Sequence, residues 1–116
     1  MPLQMAPIPL SKPEEIEQDL SQIYRSFGKL QRRITRVLPV AERIARADQT
    51  QGEQSAGEER IRLDELLENV NHQREYIQTI RSSYKKGRIS AAELDQAARR
   101  ASSAHDMAVD TFDDIL

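Results

Sequence analysis

IEQDLSQIYRSFGKLQRRITRVLPVAERI, residues 16–44, carries apolar side chains at Ile16, Leu20, Ile23, Phe27, Leu30, Ile34, Val37, Ala41 and Ile44. The steps between them alternate four and three without a break. A strand repeats its faces every second residue, whereas a helix brings residues three and four apart onto one side. The stretch therefore predicts one long α-helix with a continuous core seam. Tyr24, Leu38 and Ala45 sit at the e positions and widen the apolar stripe. A two-stranded coiled coil needs only a narrow seam, so this helix is expected to touch at least two others. It should run over residues 12–47. Pro39 falls inside it on the outward f position, where a missing N–H deletes one backbone bond and bends the rod. Gly28 is a second soft point, off the seam.

Two more helices are expected, over residues 56–86 and 91–115. The second has its seam at Leu63, Leu66, Val70, Gln73, Ile77, Ile80 and Tyr84, with Leu67 alongside. Gln73 interrupts the apolar layers, with Asn69, Asn71 and His72 nearby; a polar seam residue costs stability and can fix register. The third seam reads Leu94, Ala98, Ala101, His105, Ala108, Phe112, Ile115. Its alanines bury little area each, so this helix should depend most on its neighbours. Ser11 with Glu14, Ser55 with Glu58 and Ser90 with Glu93 all fit the capping box. There the Ser hydroxyl accepts from the third helical N–H, and the Glu reaches back to the N–H of the cap residue. Ile89 and Leu94 stand where a hydrophobic staple would join them. Lys85, Lys86 and Gly87 form a stop: basic side chains in the last turn, then a residue free to turn left-handed. The polar, glycine-containing segment 48–55 reads as a turn between antiparallel neighbours.

Charge supports the same order. The net charge is −2, but successive zones alternate: −3 over residues 1–23, +6 over 24–46, −5 over 47–71, +4 over 72–100 and −4 over 101–116. Folding the second helix back on the first sets opposite signs side by side at both ends. A third helix returning parallel to the first brings its four aspartates near the basic stretch. An acidic start and a basic end also suit the helix dipoles of the first two helices. Surface pairs contribute roughly 0–1 kcal/mol each, so the pattern selects topology more than it adds stability. The fold expected is all-α: an antiparallel three-helix, up-down-up bundle, or a long helical hairpin whose third helix packs on a neighbour, with coiled-coil-like packing.

Residues 1–10, MPLQMAPIPL, differ from the single helical domain of residues 11–116. They hold no charge, and Pro2, Pro7 and Pro9 block a helix and favour extended backbone. Leu3, Met5, Ile8 and Leu10 make the segment more apolar than a solvated tail usually is. Two readings stand: a loose end with incidental apolar residues, or an arm that lies in a groove of its own bundle or of an adjacent subunit.

Composition narrows the chemistry. There is no cysteine, which removes disulfides, thiolate nucleophiles and cysteine-bound zinc. Nothing resembles a nucleophile elbow or a glycine-rich phosphate loop, and four glycines leave little room for one. His72 and His105 are the only histidines; Glu68 and His72 share a helical face, but the Glu-x-x-His spacing of di-metal bundles is absent. No catalytic residue, metal or cofactor is expected. The face formed by Arg25, Lys29, Arg32, Arg33 and Arg36 is the best nucleic-acid candidate, because phosphates are met by a basic stripe. Yet the chain as a whole is acidic, and that face is expected to be solvated or paired within the bundle. The chain shows neither a basic n-region leading into an apolar run nor an apolar stretch long enough to span a bilayer, so the expected setting is the cytoplasm or a particle assembled there.

The function expected is a non-catalytic structural or adaptor subunit of a bacterial or viral multiprotein assembly, working through protein contacts or self-association. Its contact residues would be Leu3, Met5, Ile8 and Leu10 in the arm, and Ala98, Ala101, Ala108, Phe112 and Ile115 on a docking face of the third helix. The alternative is a small helical chaperone or regulatory inhibitor that shields another protein's amphipathic helix in an open groove. Nucleic-acid binding through the basic face is the third reading.

Overall fold

The computed structural model describes residues 12–51 and 55–116. Those residues form three helices, α1 (Pro13–Gln51), α2 (Ser55–Lys85) and α3 (Ala91–Ile115), and each packs against the other two. The molecule is elongated, 74 × 28 × 17 Å along its principal axes. Side-chain pairings give the directions. Tyr24 and Gln31 of α1 meet Arg74 and Asn71 of α2, so these helices run antiparallel. Phe27 and Arg33 of α1 meet His105 and Phe112 of α3, so those two run parallel. The bundle is up-down-up.

The heptad row of α1 accounts for one wall of the core. Ile16, Leu20, Phe27, Leu30, Ile34 and Ala41 are buried, against Leu63, Leu66, Val70 and Ile77 of α2 and Leu94, Ala101, Phe112 and Ile115 of α3. Ile23 and Val37 are half-buried at its margin. The row fails at its end: Ile44 is 48% exposed, and Ala45 is buried in its place. Beyond the level where α3 ends, α2 remains as the packing neighbour among the described residues, so burial passes to Ala41 and Ala45 while Ile44 is left open.

Helix ends follow their local chemistry with two departures. The Lys12 carbonyl accepts from the N–H groups of Glu15 and Ile16, at 2.9 and 3.1 Å. Lys12 is therefore the N-cap and Pro13 the first helical residue, where a missing N–H costs nothing. The capping box expected at Ser11 is one residue out of register with that start. Helix α2 opens at Ser55 itself, so Ser55 lies within the helix rather than ahead of it. At α3 the box is complete: Glu93 N–H donates to Ser90 Oγ, and the Ser90 N–H donates to the Glu93 carboxylate. Ile89 packs against the core next to buried Leu94. The end of α2 is a Schellman turn, with Arg88 N–H donating to the Ser83 carbonyl and Gly87 N–H to that of Tyr84. Gly87 takes a φ of 73°, which only glycine adopts without strain.

Helix α1 also runs to Gln51, through the first half of the segment expected to be a turn. It passes Pro39, which is exposed as its f position predicts. This length carries α1 past the end of α3. Because Phe27 stands beside His105 and Arg33 beside Phe112, the last residues of α3 lie level with about Val37. Helix α1 continues for roughly 20 Å beyond that level, at 1.5 Å per residue, with α2 alone beside it among the described residues.

Candidate functional site

The residues expected to form a docking face of α3 face the chain's own bundle. Ala98, Ala101, Ala108, Phe112 and Ile115 are all buried within the chain's own bundle, at 7, 1, 3, 1 and 6% exposure. Periodicity marks a helix face that must be covered, and here α1 and α2 cover it. The arm residues Leu3, Met5, Ile8 and Leu10 lie outside the described residues.

The large apolar side chains left exposed among the described residues are Val40, Ile44, Ile61, Tyr76, Met107 and Leu116, and of these Val40 and Ile44 share one helix row. In two neighbouring grooves, Ile23, Ser26, Leu30 and Arg33 of α1 face Ala98, Ser102, His105 and Val109 of α3. That row continues at steps of three and four through Val37 to Val40 and Ile44. Helix α3 has ended before it reaches them, and Val40 and Ile44 are 46 and 48% exposed. The carboxyl-terminal Leu116 is exposed at the same level. The α1–α2 tip thus presents the face that α3 covers everywhere else. Its α1 side is basic, with Arg36, Arg43 and Arg46; its α2 side is mixed, with Glu58 and Glu59 beside Arg60 and Arg62, and Arg60 pairs with Asp64.

On the opposite flank, α1 and α2 are joined by a polar cluster. Gln31 donates to Asn71 Oδ1 at 2.6 Å, Arg74 donates to Gln31 Oε1 at 2.7 Å, and the Arg74 guanidinium lies 4.1 Å over the Tyr24 ring. These residues line a groove of about 640 Å³, together with Glu75, Gln78 and Thr79 of α2. Gly28 makes the cluster possible. It is buried, not a soft point facing solvent, and a Cβ there would lie 3.1 Å from Arg74 Nη2. Register is thus held by Asn71 and Arg74, while Gln73 sits half-buried on the seam. A double-mutant cycle tests this. Gly28→Ala gains about 1 kcal/mol of helix propensity but displaces Arg74, so alone it should change stability little. In an Arg74→Ala background the same substitution should deliver its full gain in urea unfolding. Equal gains in both backgrounds would mean that Gly28 and Arg74 are not coupled.

The basic face is open to solvent. Arg25, Lys29, Arg32 and Arg36 are exposed and form no ion pair among the described residues, while Arg33 lies 4.9 Å over the Phe112 ring. The ion pairs Arg60–Asp64 and Arg99–Asp95 each run within one helix. Among the described residues, no close ion pair joins this face to an acidic zone. His105 is half-buried, edge-on to Phe27 at 5.1 Å and 3.7 Å from Asp106. His72 is exposed near Glu68 and Glu75. Among the described residues no cluster of three His, Asp or Glu is placed to hold a metal ion, and no helix is long and apolar enough to cross a membrane. No protein-family model, curated protein or solved structure matches the chain.

Proposed function

We propose that this protein is a non-catalytic structural or adaptor subunit that works by protein contact at the tip of its α1–α2 hairpin. The reading rests on one observation: Val40 and Ile44 continue the row that α3 covers, and about half of each is left exposed beyond the end of α3. Large apolar side chains aligned on one face mark an interaction surface more often than single scattered ones do. A photo-crosslinking residue at position 40, in the cells that make the protein, should give a discrete heavier adduct. The adduct should vanish when Ile44→Asp is added, and none should form from position 29 on the basic outer face. No adduct from position 40, or one indifferent to Ile44→Asp, contradicts the reading.

A second reading is favoured by the exposed basic row. Arg25, Lys29, Arg32 and Arg36 follow helical spacing over about 16 Å of α1, enough for a short run of phosphates. It predicts retention on DNA or RNA that falls steeply between 50 and 200 mM salt, roughly as the counterion-release slope for four contacts requires. Retention that is absent at low salt removes it.

A further inference from the structure

We infer that the tip of one copy receives the amino-terminal arm of another, so that the protein assembles head to tail; this rests on the contact function proposed for the tip and names its partner. The tip and the start of α1 lie at opposite ends of the rod. Lys12 and Val40 are separated by about 42 Å of helix. Leu10 stays within roughly 7 Å of Lys12 and Leu3 within roughly 32 Å, even when fully extended. The chain's own arm therefore cannot bring its apolar residues to Val40 and Ile44, whereas the arm of a second copy placed end-on can.

The chemistry of the two parts agrees. Residues 3–10 span about 23 Å when extended, against a tip of roughly 20 Å. The arm has no charged side chain, so it can lie between the charged edges of α1 and α2 without bringing an unpaired charge of its own into the contact. A helix flank offers no free backbone partners, and Pro7 and Pro9 remove two N–H groups that would otherwise need them. Such a contact joins two different surfaces, and so it repeats along an open chain or closes a ring.

The test is sedimentation of the full chain over a concentration series. The weight-average mass should climb with concentration and pass twice the chain mass. Two double variants divide the contact: Leu3→Asp with Ile8→Asp removes the arm, and Val40→Asp with Ile44→Asp removes the tip. Each alone should stay monomeric with unchanged helical circular dichroism. An equimolar mixture should form particles of two copies and stop there, because only one arm and one tip remain. The arm variant alters nothing in the three helices, so it decides the matter even if the tip variant folds poorly. A wild type that stays monomeric, an arm variant that still associates, or a mixture that does not pair overturns the inference. If position 40 crosslinks a different protein while the pure chain stays monomeric, the contact function stands and this assignment of its partner falls.

Discussion

Phe112→Ala is expected to cost about 3–5 kcal/mol, the usual loss for a large aromatic removed from a closed core. Phe112 is 1% exposed, and the Arg33 guanidinium sits 4.9 Å over its ring. Most of the other core residues of α3 are alanines, so the helix itself offers few side chains large enough to fill the space. A domain of this size has of order 5–15 kcal/mol to lose, and the change takes a large share of it. Hydrogen exchange should show α3 amides losing protection first, with α1 and α2 still held by Leu20, Phe27, Ile34, Leu63, Val70 and Ile77. Equal loss across all three helices would mean that α3 does not open as a separate unit.

Pro39→Ala should act in the other direction. A proline in a helix interior costs about 3 kcal/mol relative to alanine, through a lost bond and a ring that crowds the carbonyl four residues back. That carbonyl belongs to Thr35, whose hydroxyl already donates to Gln31 O at 2.7 Å. Pro39 is exposed and α1 is helical on both sides of it, so alanine can restore the bond without repacking the core. The expected gain is about 1–3 kcal/mol in chemical denaturation. A loss would show instead that the bend at Pro39 is needed to lay Ala41 and Ala45 against α2.

The parts legible in the sequence are those set by one helix and its nearest turns. The alternating row from Ile16 to Ala41, the α3 cap at Ser90 and Glu93, and the stop at Gly87 each follow from spacing and backbone geometry. The end of the row is not legible, because Ile44 obeys the same spacing as Ile34. Its exposure depends on where a different helix stops, and no pattern within α1 records that α3 is shorter. The face from Ala98 to Ile115 poses the converse problem: periodicity shows that it must be covered, and only tertiary structure shows that the same chain covers it. The Tyr24–Gly28–Gln31 edge lies at helical spacing, as does Asn71 with Arg74. Their meeting becomes visible only once the register of α1 on α2 is known.

Helix α3 belongs to its own chain's bundle and ends short of the α1 tip. Ser26 and Ser102 line the same groove between α1 and α3, and the native chain has no cysteine to interfere with labelling. Nitroxide labels on Ser26→Cys and Ser102→Cys should report a short distance by pulsed electron paramagnetic resonance. That distance should persist unchanged when the labelled chain is diluted into a large excess of unlabelled chain. A short distance that disappears on dilution would instead place α3 against a neighbouring copy, so that the bundle is not formed within one chain.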